Sequence, residues 1–194
     1  MEAAIAALPD WISATLASDA AAGSGVVRPG LRPLDPSWRL AAPALVIQAS
    51  VDDNQAVVSA LAAPALAGVV LVVSGHAASR TATIGDIMAA DLAAHGVVGL
   101  VTDGLVRDSA EIRALGFRVW CRGTTPTAPY KRLPGRVGGG IVLGGALVRD
   151  GDIVIADDDG VVVWPRQDVA ELIAKADARR QADALRLARI RAAS

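Results

Sequence analysis

Twice in this chain a short run of β-branched and aliphatic residues leads through a polar turn into a helical stretch. Residues 68–73 (Gly-Val-Val-Leu-Val-Val) lead through a polar loop, 74–83, to a helix expected over 85–95 and stopped by Gly96. Residues 97–102 lead through Asp103-Gly104 to a helix expected over 108–115 and stopped by Gly116. Continuous apolar runs of this length suit strands buried on both faces. Their exchange with helices predicts an α/β fold with a parallel or mixed sheet covered by helices. A strand is expected over 44–50, with Asp52 or Asp53 capping a helix that runs to about Leu61. A further short strand is expected over 117–120.

The flanks read differently. A short helix is expected over 3–18, then an irregular arm over 23–43, rich in Gly and Pro. Beyond Cys121 the runs 137–148, 153–156 and 161–163 are short and separated by Gly, Asp and Pro, which predicts antiparallel strands or a small barrel-like layer. Residues 166–192 read as one long helix with Val169, Leu172, Ile173 and Ala176 on one stripe. The 194 residues fit one domain, with 1–43 and 166–194 as its N-terminal arm and C-terminal helix.

Composition excludes several functions. Hydrophobic residues make up 53% of the chain but only six are aromatic, so the core must be built from Ala, Val, Leu and Ile. The net charge of −1, without a basic block, gives no indication of nucleic-acid binding. The single Cys121 cannot form an internal disulfide, which fits a reducing compartment. Met1-Glu2-Ala3-Ala4 lacks the basic start of a signal peptide, and the apolar run 62–73 is too short for a bilayer. A soluble cytoplasmic protein is expected.

The chemistry-bearing positions gather at two expected helix starts. Gly85-Asp86-Ile87-Met88 opens one and Arg107-Asp108 opens the next, each at the end of a buried strand, where open α/β sheets bind ligands. A helix start presents free N–H groups and a partial positive charge, which suits a small carboxylate. Asp108 also reads as a helix cap and Asp86 as a first-turn acid, both common structural roles. Asp103 and Glu111 crowd the same strand end. His76 lies in the adjacent loop, within reach of a proton-transfer role. Asp157-Asp158-Asp159-Gly160 lacks the spacing of an EF-hand and reads as a turn. The Gly138–Gly140 and Gly144-Gly145 runs lack a following Lys-Ser/Thr and do not make a phosphate loop. No Gly-x-Ser-x-Gly elbow surrounds Ser74 or Ser79, and no paired His or Cys supports zinc.

These residues resemble a known family. Gly85-Asp86-Ile87-Met88, followed by 95–108 (His-Gly-Val-Val-Gly-Leu-Val-Thr-Asp-Gly-Leu-Val-Arg-Asp), is similar to the 4-hydroxy-4-methyl-2-oxoglutarate aldolases, a family that includes the regulator of ribonuclease E activity A (RraA). Asp53-Asn54, Gly151-Asp152 and the stretch from Ala156 to Pro165 extend the likeness over roughly 44–180. The resemblance implies a layered α/β/α sandwich with a swivelling β/β/α core and a mixed sheet, assembled as a homotrimer or hexamer with sites between subunits. It implies a divalent-metal lyase that releases pyruvate from 4-hydroxy-2-oxo acids and decarboxylates oxaloacetate, with Mg²⁺ or Mn²⁺ as cofactor. By that resemblance Asp108 ligates the metal, Arg107 binds the keto oxygen and the amides of 85–88 hold the pyruvyl carboxylate. Asp86 fixes the waters on the metal. Residues 23–43 depart from the family pattern, and the acid nearest to the family's C-terminal Glu is Asp183. The other reading on the same scaffold is a non-catalytic regulator of the ribonuclease type. A methyltransferase is disfavoured, since no Gly-rich nucleotide loop follows the first strand.

Overall fold

A computed structural model of the chain describes residues 8–28 and 30–193. The first helix, α1, covers Ala14–Ala20. It starts later than the sequence suggests, because Ser13 caps it, accepting from Leu16 N at 3.2 Å, and Asp157 Oδ2 accepts from Ala14 N at 2.9 Å. Residues 8–13 are not helical, and residues 3–7 of the expected helix lie outside the described residues. In the arm, β1 (Arg32–Pro33) is a two-residue strand. The next strand, β2, spans Leu40–Gln48, so it begins inside the stretch expected to be irregular. Pro43 does not break it, because antiparallel pairing to a later strand carries residues 40–43.

Then follow α2 (Gln55–Ala60), β3 (Val70–Ser74), α3 (Asp86–Ala94), β4 (Gly99–Thr102), β5 (Leu105–Val106), α4 (Ser109–Leu115), β6 (Arg118–Cys121) and β7 (Gly123–Thr124). The remainder comprises β8 (Arg136–Val137), β9 (Gly140–Leu143), β10 (Ala146–Arg149), β11 (Ile153–Asp157), β12 (Gly160–Trp164) and α5 (Val169–Ala192). Strands β2, β3, β4 and β6 pair in parallel. Antiparallel β1 closes one edge, and β11 and β12 extend the other. The result is an eight-stranded mixed sheet in the order β1-β6-β4-β3-β2-β11-β12, with β8 beside β2.

Side-chain alternation divides the sheet between two cores. Val46, Val70, Val72, Val101 and Trp120 face one layer, with Ile141, Leu143 and Val148 of the β9–β10 hairpin. Ile47, Leu71, Val73, Leu100 and Val119 face the other, with Val57 of α2, Leu92 of α3 and Ile112 of α4. Successive residues of a strand point to opposite faces, so each of these strands is apolar along its middle, with polar residues only at its ends. At the far edge Ile153, Ile155, Val162 and Trp164 pack on α1 and the first turns of α5. The architecture is thus a hairpin layer, a mixed sheet and a helical layer, which accords with the expected β/β/α core and mixed sheet rather than with helices on both faces. Beyond Ala176 helix α5 carries no buried residue. Among the described residues no helix is long and apolar enough to cross a membrane.

Candidate functional site

The two helix starts singled out by the sequence lie against each other because the segments before them pair. Thr83 N donates to Leu105 O, Arg107 N donates to Ile84 O at 3.0 Å, and Ala82 forms a parallel bridge with Leu105. That register brings Gly85 onto Arg107 and Asp108. A Cβ at residue 85 would press on Asp108 Oδ2 and Arg107 Nε, so glycine here permits the close approach of these two side chains and is not needed for its φ.

Asp108 takes a left-handed backbone conformation, φ 54° and ψ 43°, and its side chain does not cap its own helix. The cap role allowed by the sequence is therefore not the one observed. Its carboxylate turns to the other helix: Oδ2 accepts from Asp86 N at 3.4 Å and lies 3.3 Å from Arg107 Nε. A left-handed non-glycine residue costs on the order of 1–3 kcal/mol, and such strain concentrates at functional positions. The Arg107 and Asp108 side chains are each 36% exposed, and the neighbouring Ile87 is 78% exposed. The cluster is therefore an open surface site.

Two of the four amides expected to hold a carboxylate already have carboxylate partners. Asp86 N serves Asp108, and Ile87 N donates to Asp86 Oδ1 at 2.7 Å. An incoming anion therefore competes with the Asp86 side chain for Ile87 N.

The neighbouring polar residues turn out to be structural. Asp103 spends both oxygens on the loop after β3, accepting from Gly75 N at 3.1 Å and His76 N at 2.8 Å. Glu111 is exposed on α4. His76 is 1% exposed. Its Nε2 faces the Asp53 carbonyl at 2.9 Å and must donate, so Nδ1 accepts from Thr83 Oγ1 at 2.7 Å. With both ring nitrogens occupied, His76 is a strut rather than a proton-transfer group. Asp183 pairs with Arg179 on α5 at 3.1 Å. Burial pushes the Cys121 thiol up to about 11, against a weaker opposing backbone hydrogen bond of Gly123.

The Asp52-Asp53-Asn54 corner holds more than the helix cap that its sequence suggests. Asn54 takes the N-cap position, while Asp53 Oδ1 accepts from Gln55 N at 2.9 Å. Asn54 Nδ2 donates to Thr83 O at 3.0 Å, and its Oδ1 is a buried acceptor without a partner among the described residues. An Asp-Asn pair directly after a strand was the only signal available in the sequence.

Among the described residues no three His, Cys, Asp or Glu side chains gather as a metal cage. The donor set suits Mg²⁺ rather than zinc: one carboxylate, whose Oδ1 accepts no hydrogen bond among the described residues, beside a glycine cradle that a Cβ would fill. Mg²⁺ characteristically takes one or two carboxylates and keeps several waters.

A family model described as RraA-like, aldolase/RraA, matches residues 14–163. A protein of Halalkalibacterium halodurans, provisionally named 4-hydroxy-4-methyl-2-oxoglutarate aldolase, is 34% identical over 89% of this chain and 81% of its own length. One of Burkholderia multivorans, with the same provisional name, is 36% identical over 71% of this chain and 83% of its own. The crystal structure of Streptomyces coelicolor RraAS2, described as an unusual member of the RNase ES inhibitor RraA protein family, superposes with a TM-score of 0.81. It is 29% identical, and the match covers 92% of this chain and 93% of that one. The family model and these relatives show the family: the chain belongs to the RraA-like (aldolase/RraA) family.

Proposed function

We propose that the chain is a divalent-metal-dependent carbon–carbon lyase that releases pyruvate from 4-hydroxy-4-methyl-2-oxoglutarate or a related 4-hydroxy-2-oxo acid and also decarboxylates oxaloacetate. The observation that carries this reading is the Asp108 carboxylate, turned by a left-handed backbone onto the start of α3 beside Arg107. The aldolase names of relatives at 34% and 36% identity support it.

Both reactions break a carbon–carbon bond and leave the electron pair on the carbon next to a ketone, as an enolate. Asp108 is the residue that would hold Mg²⁺, or Mn²⁺, and the ion supplies Lewis-acid stabilisation of the enolate oxygen. Arg107 sets a fixed positive charge at the same oxygen and contributes without reorganising as charge develops. The amides of Gly85 to Met88 hold the pyruvyl carboxylate at the positive end of α3, once Asp86 yields Ile87 N. The freed Asp86 carboxylate orients the water that takes the proton from the substrate's 4-hydroxyl as the bond breaks. Proton return to the enolate carbon completes pyruvate. The open site suits completion by a neighbouring subunit in a trimer or hexamer.

The test is pyruvate release from both acids, with Mg²⁺, with EDTA and with Asp108→Ala. Metal-dependent turnover lost in the variant supports the lyase. Absence of turnover on both acids in folded protein refutes it for these substrates. A second reading, a regulatory protein of the ribonuclease-inhibitor type, is favoured by the likeness to RraAS2. Capture of an endoribonuclease by protein inactive on both acids would support it.

A further inference from the structure

The segment from β7 to β8, residues 125–135, has no regular structure of its own and contains Pro126, Pro129 and Pro134. It nonetheless follows the edge of the candidate site. Thr125 N donates to Val106 O at 2.9 Å, next to Arg107, and Ala82 N donates to Thr127 O at 2.9 Å, three residues before Gly85. Tyr130 and Leu133 are more than half exposed, so burial does little to fix the far end of the loop.

What fixes it is a carboxylate. Asp53 is 2% exposed. Its Oδ2 accepts from Arg132 N at 2.8 Å and from Leu133 N at 3.1 Å, while Oδ1 accepts from Gln55 N. Backbone bonds complete the joint: Asn54 N to Tyr130 O at 3.0 Å, and Tyr130 N to Asp52 O at 2.9 Å. The same corner is tied to the start of α3. His76 bridges Asp53 O to Thr83 Oγ1, and Asn54 Nδ2 reaches Thr83 O. A buried charge is tolerated only where hydrogen bonds replace its hydration, and here three backbone donors do so. Both oxygens must accept, so an amide in this position would set its NH₂ against one of these donors.

We propose that Asp53 is a positioning residue of the site: its buried carboxylate clamps Arg132 and Leu133, and so holds the loop, whose Thr125 and Thr127 bond to Val106 and Ala82, as a wall beside Gly85 and Arg107. The assignment of a substrate to that wall rests on the lyase reading. The wall contributes to holding the substrate and not to breaking its bond, so its loss acts on KM.

The experiment has two parts. In the unsubstituted protein, amide hydrogen exchange read residue by residue should find Arg132 and Leu133 protected at least about a hundredfold, despite their exposed loop. Exchange at the unprotected rate overturns the clamp. In Asp53→Asn, trypsin should cut after Lys131 or Arg132 about tenfold faster or more, with the rest of the chain still resistant. KM for oxaloacetate with Mg²⁺ should rise about tenfold while kcat stays within about threefold. Unchanged cleavage, or a fall in kcat at constant KM, overturns the assignment. Where the variant fails to fold, the exchange measurement decides alone. Where the unsubstituted protein turns over neither acid, the lyase reading fails, and exchange and proteolysis still decide the clamp.

Discussion

The backbone nitrogen of Asp86 donates to a carboxylate oxygen of Asp108 at 3.4 Å. One helix thus lends its acid to the start of another, and the site exists only where the two segments meet. Substitutions that change either partner separate chemistry from folding.

Asp108→Gly retains a backbone that accepts left-handed φ and removes the carboxylate. Stability should change by less than about 1 kcal/mol, because relief of strain offsets the added flexibility of the unfolded chain. Metal-dependent pyruvate release should fall by about 10²-fold or more. Thermal unfolding and turnover on one preparation separate the two effects.

Gly85→Ala places a methyl group where Asp108 Oδ2 and Arg107 Nε now lie. A displacement of about 1 Å at such a site costs on the order of 10²-fold in rate. The variant should unfold within a few degrees of the parent and yet lose most of its kcat/KM. A fully active Gly85→Ala protein would show that the close approach is not needed.

Arg107→Lys keeps the charge but replaces a planar guanidinium with a compact ammonium. In the proposed lyase mechanism the contact matters most as the enolate forms, so the expected loss is about 10²-fold in kcat with a smaller change in KM. Steady-state kinetics on oxaloacetate measure both.

The Cys121 thiol, pushed up to about 11 by burial, is a poor nucleophile at pH 8. A thiol reagent should label folded protein far more slowly than protein in denaturant. Fast labelling of the native state would mean that the strand end carrying Cys121 opens readily.

At Asp53, burial alone would raise the carboxyl's pKa, but the N–H groups of Gln55, Arg132 and Leu133 outweigh it and hold the group below its ordinary value. The folded state therefore binds fewer protons than the unfolded one. Its stabilisation is complete above the unfolded carboxylate value, about 3.9, and is lost as pH falls through the lower folded value. Asp53→Asn should flatten the acid limb of a stability–pH curve, read by denaturant unfolding from about pH 5 down to about pH 2. Other carboxylates add to that limb, so the comparison with the parent protein is the measurement.

Much of this was legible in the sequence, and the exceptions have causes. Strands β3 and β4 and the helices after them are local: β-branched runs, Gly96 and Gly116 place them within a residue or two. Gly85, Asp86, Arg107 and Asp108 stood out by residue type and spacing, and the fold brings them together. The left-handed turn at Asp108 was not, since it depends on a partner segment twenty-two residues away. Residues 40–43 read as irregular because their pairing partner lies in β11. Asp103 and His76 looked available for chemistry. Only the three-dimensional structure reveals that Asp103 has spent its oxygens on the loop after β3 and His76 its ring nitrogens on Thr83 and Asp53.

The long-range ties of the N-terminal segments constrain how the protein can be made. Residues 40–43 of β2 pair with Ile153–Ala156, and the first amide of α1 finds its acceptor in Asp157. A chain emerging from the ribosome thus displays its first helix and half of a central strand long before their partners are synthesised. The final hairpin, Ile153 to Trp164, acts as a late fastening, and a product truncated ahead of it leaves an open strand edge. Such fragments should be held by chaperones or degraded, which makes the last forty residues a quality checkpoint for the whole chain.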